Sequence, residues 1–444
     1  MAEERATLGG QLARMARVGA GLSGLALKYA GGRVSGQAIP PEELARDLKL
    51  ALGSLKGPIM KLAQMLATIP EALPESYANE LLELQQQAPA MGWPFVRRRM
   101  AAELGADWRS RFAEFGTEAA AAASLGQVHR AKSLDGRALA CKLQYPDMES
   151  AVEADLTQLG LVLAIYKRFS PVVDPTELAE EIAARLREEL DYIREARHIA
   201  LYRHMLAAVT EVSVPEVEAT LSTRRLLTMS WLEGKPLLDF REAPQETRNA
   251  IAIALFRAWW LPFCRHGVIH GDPHLGNYAV RADHGINLLD FGCIRIFPPA
   301  FVAGVVELYR ALDTDDRARA VKAYEEWGFS DLSDELIDTL NIWARFIYAP
   351  LLDDRVRTIA DGVSPGQYGR KEVFEVAKRL KALGPITPPR PFVFMDRAAV
   401  GLGSVFLHLR AELNFRALFE EAIADFSQEA LTARQAEALK QAGL

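Results

Sequence analysis

Two neighbouring motifs constrain this chain more than any other feature: IHGDPHLGN at Ile269–Asn277 and LLDFG at Leu288–Gly292. The first places Asp272 five residues before Asn277, and the second places Asp290 directly after a short apolar run that we predict to be a strand. Phosphoryl transfer needs a carboxylate near the attacking hydroxyl or water, and hard oxygen ligands that hold Mg²⁺ against nucleotide phosphates. Asp272 is the candidate for the first role, and Asn277 and Asp290 for the second. The sequence therefore predicts a kinase-type site.

The composition describes a soluble, globular chain. Its 444 residues are 50% hydrophobic and 25% charged, which suits two or three folded units. The net charge of −6 gives no argument for binding nucleic acid. Cys141, Cys264 and Cys293 are far apart, odd in number and without CxxC spacing, so we expect a reducing compartment and no zinc site.

The chain carries no sequence typical of export or of membrane insertion. Its first residues lack the apolar core of a signal peptide, and Glu3 and Glu4 argue against a mitochondrial transit peptide. No run approaches the roughly 18 apolar residues of a membrane-spanning helix. We therefore predict a cytoplasmic protein that contacts the cell membrane peripherally, at its inner face.

The N-terminal region favours helices. Leu12–Tyr29, rich in Gly, Ala and Leu, is either a helix packed closely on a neighbour or an interfacial helix on lipid. Glu42–Leu66 has apolar residues near helical spacing and an internal Gly-Pro pair that should break it. Within it, Lys61 and Gln64 are three residues apart and share one face. From the residues alone they are either a solvated stripe or functional polar groups.

Three strands are predicted at Phe112–Glu118, Gln127–Lys132 and Leu139–Gln144. Kinases close over nucleotide phosphates with a glycine-rich loop, but alanines fill most of the corresponding loop here, Ala119–Gln127. Alanine narrows the backbone conformations that glycine leaves open, so we expect a stiffer loop with a distinct nucleotide preference. The loop residues predicted to bind the nucleotide are Ala121, Ala122, Ala123, Ser124 and Gly126.

The third predicted strand contains Lys142, which could point at the α- and β-phosphates while its neighbours pack in the core. Such a lysine needs a carboxylate partner on a helix, and the predicted helix Ala183–Arg203 offers Glu189, Asp191 and Glu195. In one continuous helix Asp191 and Glu195 share a stripe, whereas Glu189 and Glu195 diverge by about 120°. The alternatives are a lysine that merely reaches solvent and a solvated acidic face.

Met229 and Trp231 lie where a kinase links its lobes and offers backbone hydrogen bonds to adenine. The chain after Pro244 is mostly helical. The absence of an APE triplet after DFG weighs against an ordinary protein kinase. Helices are predicted at Trp93–Leu104, Thr247–His266, Pro299–Asp313, Asp316–Trp327, Asp331–Tyr348, Met395–Arg416 and Leu418–Ala442.

Together these motifs resemble the UbiB family of atypical protein-kinase-like ATPases, which is associated with ubiquinone biosynthesis. The resemblance runs from about Leu55 to Arg416, and Ala63 replaces the glycine of the family's KxGQ motif. The added methyl group suits a helix but loosens a close approach to the nucleotide. The matching motifs are KLAQ at Lys61–Gln64, AAASLGQV at Ala121–Val128, the strand lysine Lys142, ELD at Glu189–Asp191, the helix glutamate Glu195, the loop Asp272–Asn277 and the metal residue Asp290.

The resemblance implies an α+β, bilobal protein-kinase-like fold. A helical extension over residues 1–107 would pack across the nucleotide cleft, with Lys61 and Gln64 pointing into it. The small lobe would comprise residues 108–233, and the mostly helical large lobe residues 234–444. Protein substrates would be blocked, which leaves Mg²⁺-dependent hydrolysis of ATP or a small lipid-like substrate. The implied ligands are ATP or ADP with Mg²⁺. The implied partners are ubiquinone-biosynthesis proteins or lipid-like quinone precursors, and a homodimer is compatible with this reading.

Three functions follow in this order. The first is an ATPase that supports ubiquinone biosynthesis on a membrane-bound complex. The second is a small-molecule phosphotransferase, because HGDPHLGN also resembles the HGDxHxxN loop of the aminoglycoside and choline kinases, and His274 stands where protein kinases usually carry a lysine. The third is a non-catalytic, lipid-binding chaperone that holds a nucleotide. The KLAQ segment and the alanine-rich loop favour the first over the second, and the intact set of Lys142, Asp272, Asn277 and Asp290 argues against the third.

Overall fold

The computed structural model of the chain describes residues 91–154 apart from 124, residues 186–360 and residues 390–444, with a few isolated positions between these ranges. The predicted extension before residue 91, with Lys61 and Gln64, therefore lies outside the described residues, and so does Ser124. The described residues form two compact units. One comprises residues 91–193 and Glu218–Thr228, and the other comprises Arg194–Val217 and Met229–Leu444.

Helices and strands alternate irregularly along the chain, as in an α+β fold. The helices are α1 (Trp93–Leu104), α2 (Tyr192–Met205), α3 (Gln245–His266), α4 (Pro299–Asp313), α5 (Arg317–Trp327), α6 (Asp334–Leu352), α7 (Arg390–Leu409), α8 (Phe415–Ile423) and α9 (Gln428–Ala442). The strands are β1 (Phe112–Ala123), β2 (Gly126–Ser133), β3 (Ala138–Gln144), β4 (Val212–Ser213), β5 (Leu226–Ser230), β6 (Lys235–Pro236), β7 (Val268–His270), β8 (Tyr278–Val280), β9 (Ile286–Leu288) and β10 (Ile294–Ile296).

The first unit is built on a sheet with the strand order β1-β2-β3-β5, in which β1, β2 and β3 are antiparallel neighbours. Val96, Met100 and Leu104 recur every four residues on one face of α1, and all three are buried. They share an apolar core with Trp108 and Leu139. This core fixes α1 on the sheet and holds β3 in place.

The alanine-rich segment is a strand rather than a loop, which corrects the sequence interpretation. β1 continues to Ala123, and the pairs Ala121↔Val128 and Ala123↔Gly126 carry the β1–β2 ladder to its end. Alanine by itself prefers a helix, but pairing with a neighbouring strand outweighs that weak preference. The connection available to cover a phosphate is therefore only the turn between Ala123 and Gly126.

The helix predicted to run through the three acidic candidates is interrupted at Leu190 and Asp191, and α2 begins at Tyr192. The Gln144 side-chain amide donates to the Leu190 carbonyl oxygen over 2.6 Å. Asp191 Oδ1 accepts the N–H of the second residue of α2 over 3.0 Å, so Asp191 is an N-cap. The single-helix geometry that the sequence predicted for these carboxylates is therefore wrong.

The side chain of Gln127 ties the residues before α1 to the β1–β2 hairpin. Its Oε1 accepts the Met91 N–H over 2.5 Å, and its Nε2 donates to the Met91 carbonyl oxygen over 3.2 Å. The same Nε2 also donates to His129 Nε2 over 2.7 Å, while His129 Nδ1–H donates to the Gly116 carbonyl oxygen over 2.9 Å. Gln127 and His129 are both fully buried, so each of these bonds replaces lost hydration.

Replacing Gln127 with leucine of similar size is expected to lower the free energy of unfolding by about 2 kcal/mol, because it leaves buried groups of Met91 and His129 without partners. Urea denaturation followed by circular dichroism measures the loss. Gln441→Leu, at an exposed position of α9, is the control and should change stability by less than about 0.5 kcal/mol. Equal stability of the two variants would contradict the anchoring role.

The second unit combines a small sheet, in the order β4-β9-β8-β6, with the pair β7–β10 and a group of helices. Helix α3 is buried along most of its length and ends at Gly267, which adopts a left-handed conformation with φ of 66°. Glycine suits this C-cap because it has no Cβ. The chain then enters β7 at once, so the packed helix sets the start of the predicted catalytic loop.

The C-terminal residues form three helices where the sequence predicts two. Arg410 follows α7 with a φ of 48°, a left-handed conformation that stops the helix. The side chains of Asn414 and Ser427 then accept the N–H groups of Ala417 and Ala430, and so begin α8 and α9 as N-caps. The two predicted boundaries were wrong because these local caps, not the apolar pattern, decide where the helices end.

The other predictions of secondary structure hold well. The bounds of α1 and α4 are the predicted ones, and α3, α5 and α6 cover most of the predicted helices. The short strands β7, β8 and β10 were not predicted, because three residues are too few to show an alternating pattern. The α+β, kinase-like fold class is confirmed. None of the helices in the described part of the chain combines the length and hydropathy needed to cross a bilayer.

Candidate functional site

The three predicted catalytic residues of the second unit lie on adjoining loops. Strands β8 and β9 are antiparallel, with Tyr278 paired to Leu288. The Leu289 N–H donates to the Asn277 carbonyl oxygen over 3.0 Å, which extends this pairing by one step. Asn277 therefore precedes β8 and Asp290 follows β9 at the same end of the strand pair.

Hydrogen bonds within the loop fix the backbone around Asp272. The Asn277 side-chain amide donates to the Asp272 carbonyl oxygen over 2.9 Å, and the His274 N–H donates to the same oxygen over 2.8 Å. The side chains of Asp272, Asn277 and Asp290 are all half-buried. The loop is thus held by its main chain, while the predicted functional groups keep partial access to solvent.

His270 links this loop to the DFG triplet, a role that the sequence interpretation missed. The buried ring donates from Nε2–H to the Asp290 carbonyl oxygen over 2.6 Å, and its Nδ1 accepts the Asp272 N–H over 3.3 Å. These partners assign the proton to Nε2. The histidine of the HGD triplet was the available signal, and it connects the backbones of both predicted catalytic aspartates.

Helix α2 also holds the DFG triplet. The Phe291 N–H donates to Glu195 Oε1 over 3.5 Å, and His198 Nδ1–H donates to the Phe291 carbonyl oxygen over 3.0 Å. The Phe291 ring is fully buried, 5.4 Å from the ring of Tyr202. Glu195 is thus placed beside the triplet as a predicted site residue. His198 was missed, and its only signal was the three-residue spacing from Glu195.

The donor set suits magnesium. Because the Asn277 amide nitrogen donates to the loop backbone, the amide oxygen is the atom left to act as a ligand. Asp290 Oδ1 accepts the Gly292 N–H over 2.9 Å, which orients the carboxylate. Within the described ranges no three His, Cys, Asp or Glu side chains form a metal-binding group. A Mg²⁺ ion here would thus depend on two protein oxygens together with nucleotide phosphates, as is common for this ion.

His274 occupies the position where protein kinases usually carry a lysine. It is exposed, and its Nδ1 accepts the Gly276 N–H over 3.1 Å, which caps the short turn Leu275–Asn277. This bond uses the ring to stabilise the loop. A histidine so placed supplies no permanent positive charge beside Asp272.

In the first unit, Lys142 is only 8% exposed, and its Nζ lies 5.3 Å from the ring centroid of Tyr192. Burial and the aromatic ring hold the ammonium group near the start of α2. Glu189 is half-buried and Asp191 caps that helix. The carboxylate that pairs with Lys142 stays a prediction, as do the phosphate contacts of the hairpin.

The linker segment retains two of its three amides for a ligand. Met229 is buried in β5, and Trp231 follows it half-buried. The Ser230 N–H already donates to the Glu216 carbonyl oxygen over 2.8 Å, and the Glu216 N–H donates to Ser230 Oγ over 2.9 Å. An adenine bound here would therefore contact the main chain of Met229 or Trp231.

Burial lowers the pKa of His198 from 6.5 to about 4, although its bond to Phe291 opposes the shift. The unfolded chain takes up this proton near pH 6.5, so the stabilising effect of the neutral ring is complete above that pH and is lost as the pH falls toward 4. Between pH 6.5 and pH 5 the loss is about 2 kcal/mol.

In His198→Asn, the fall in unfolding free energy from pH 7 to pH 5 should be smaller than in the wild type by about that amount, because asparagine does not titrate. Urea denaturation at the two pH values measures it. His204→Asn, at an exposed position of the same helix, should keep the wild-type loss. The same pH dependence in both variants would show that His198 does not titrate as its burial requires.

The chain matches the ABC1 atypical kinase-like domain over residues 83–324, more than half of its length. It is 30% identical to the Caenorhabditis elegans protein "Atypical kinase coq-8, mitochondrial", over 67% of this chain and 41% of that protein. It is 31% identical to AarF domain-containing protein kinase 1 of Mus musculus, over 62% of this chain and 54% of that protein. The matched region thus spans about half of these relatives or less.

Among solved structures, the fold is similar to that of the Mycobacterium tuberculosis protein Rv3197 in complex with erythromycin. The TM-score is 0.62 and the identity 27%, over 86% of this chain and 96% of that chain. The domain match, the kinase-like relatives and the arrangement of Asp272, Asn277 and Asp290 agree with one another. The chain belongs to the ABC1 atypical kinase-like family, to which the UbiB proteins belong.

Proposed function

We propose that this protein is a Mg²⁺-dependent, kinase-like ATPase that supports ubiquinone biosynthesis from the surface of a membrane. The observation that carries the proposal is the arrangement of Asp272, Asn277 and Asp290 on two adjoining loops, all half-buried and with their backbones held by hydrogen bonds. The link to ubiquinone rests on the sequence motifs. The partners would be ubiquinone-biosynthesis proteins or lipid-like quinone precursors.

Each residue has a defined role in this proposal. Asn277 and Asp290 would hold Mg²⁺, whose charge neutralises the phosphate oxygens of ATP. Asp272 would accept a hydrogen bond from the attacking water and so orient it. Lys142 keeps its predicted role on the α- and β-phosphates, and Lys61 and Gln64 keep theirs as the residues that exclude protein substrates.

A second candidate is phosphoryl transfer to a small alcohol. It is favoured by His274, which caps its own loop and leaves the position beside Asp272 without a lysine. Solved Rv3197 in complex with erythromycin adds a relative with a bound small molecule. In this case Asp272 would accept its hydrogen bond from a substrate hydroxyl group instead of from water.

The test is phosphate release from Mg-ATP by the full chain, with and without anionic liposomes and a phenolic analogue of a quinone precursor. Release that rises with lipid or phenol supports the proposal. Transfer of labelled phosphate to an added small alcohol would instead establish the second candidate. Nucleotide binding without release under any condition would reject both and leave a non-catalytic role.

A further inference from the structure

The two peptide groups that follow Asp290 have a hydrogen-bond partner at each of their four polar atoms. In the first peptide, the Asp290 carbonyl oxygen accepts from His270 and the Phe291 N–H donates to Glu195. In the second, the Phe291 carbonyl oxygen accepts from His198 and the Gly292 N–H donates to Asp290 Oδ1. The last of these bonds orients the carboxylate to which we assign the metal.

The second peptide couples His198 to that carboxylate. A peptide group is planar, so the Phe291 carbonyl and the Gly292 N–H turn together. His198 holds the carbonyl end over 3.0 Å, and the N–H end holds Asp290 Oδ1 over 2.9 Å. If the carbonyl end is released, the plane can rotate and the direction of the N–H changes with it. The orientation of the Asp290 carboxylate thus depends on a histidine that does not touch it.

Burial makes this coupling strong. His198 is 2% exposed and Phe291 is fully buried, so water cannot readily replace the ring as the partner of the Phe291 carbonyl. Glu195, three residues earlier on the same helix face, holds the preceding N–H. Helix α2 therefore contacts the triplet at both ends of Phe291.

We propose that His198 is a positioning residue for the metal site, and that it acts through the Phe291–Gly292 peptide on the Asp290 carboxylate. The inference deepens the proposed function and rests on it. Loss of the Nδ1–H donor should weaken the binding of Mg²⁺ in the presence of nucleotide. Binding of nucleotide without Mg²⁺ should be unaffected, because His198 has no role in the nucleotide contacts themselves.

The experiment measures the binding of a fluorescent ATP analogue to the full chain as a function of Mg²⁺ concentration. In His198→Ala the half-saturating Mg²⁺ concentration should rise about 3- to 10-fold, the range expected for losing one hydrogen bond. His198→Asn should restore the wild-type value, because its amide nitrogen can take the place of Nδ1. His198→Gln should stay impaired, because its amide reaches the position of Nε2.

His204→Ala, at an exposed position of the same helix, is the matched control and should bind Mg²⁺ as the wild type does. Circular dichroism confirms that each variant is folded. If His198→Ala fails to fold, the comparison of His198→Asn with His198→Gln still decides the matter, since only a donor at Nδ1 explains a difference between them.

A wild-type Mg²⁺ requirement in His198→Ala, or an equal impairment of His198→Asn and His198→Gln, would overturn the inference while leaving the proposed function intact. Weaker nucleotide binding in the absence of Mg²⁺ would also overturn it, since that result indicates a general structural role. Failure of the wild-type chain to bind nucleotide in a Mg²⁺-dependent way would reject the proposed function itself, and the role of His198 with it.

Discussion

Asp290→Asn is expected to lower the rate of phosphate release from Mg-ATP by about 10³-fold. The substitution removes the negative charge of one of the two protein ligands assigned to Mg²⁺. It keeps the size of the side chain and an oxygen that can still accept the Gly292 N–H, which now holds Asp290 Oδ1 over 2.9 Å. The DFG backbone should therefore stay in place, and the loss should reflect the metal alone. Phosphate release at saturating ATP, compared with the wild type, measures it.

Two further variants make this result specific. Asp425→Asn, at an exposed position between α8 and α9, removes the same charge and should leave the rate unchanged. Asp272→Asn should also slow release, but it should leave the Mg²⁺-dependent binding of nucleotide intact, because Asp272 is assigned to the attacking water. If Asp290→Asn turned over ATP at the wild-type rate, Asp290 would not be a metal ligand and the assignment of this site would fail.

The sequence was sufficient to find Asp272, Asn277 and Asp290 because their order and spacing are set by chemistry at one loop and one strand end. The residues that hold them were not found. His198 and Phe291 are 93 positions apart, and no local pattern predicts which carbonyl a buried histidine will contact. His270 was next to the predicted site, but its partners follow from the pairing of β7 with β10, which is too short to recognise.

The incorrect predictions in the first unit have the same cause. The alanines of β1 and the helix through Leu190 were interpreted from local preference. In the structure, strand pairing with β2 and a hydrogen bond from Gln144, 46 residues away, decide the two conformations. Local preferences are worth only tenths of a kcal/mol per residue, so a contact from a distant part of the chain outweighs them.

Gly126→Ala is expected to lower the free energy of unfolding by about 3 kcal/mol. A Cβ atom at this position would lie 2.1 Å from the Leu143 carbonyl oxygen and 3.1 Å from the Tyr192 hydroxyl oxygen. The first contact is with the backbone of the neighbouring strand, which cannot move unless β2 and β3 separate, since Gly126 pairs with Gln144 in that ladder. Urea denaturation of the variant and the wild type measures the difference.

Gly92→Ala is the matched control, because a Cβ there meets only Pro94, at 3.8 Å, and should change stability by less than about 0.5 kcal/mol. The comparison separates two reasons for a glycine at the hairpin. If Gly126 serves only to let the backbone approach a phosphate, Gly126→Ala will weaken nucleotide binding and leave the unfolding curve unchanged. If close packing on Leu143 requires it, as the 2.1 Å approach indicates, stability will fall without any nucleotide present. The position that the sequence assigned to the ligand would then be fixed first by the sheet.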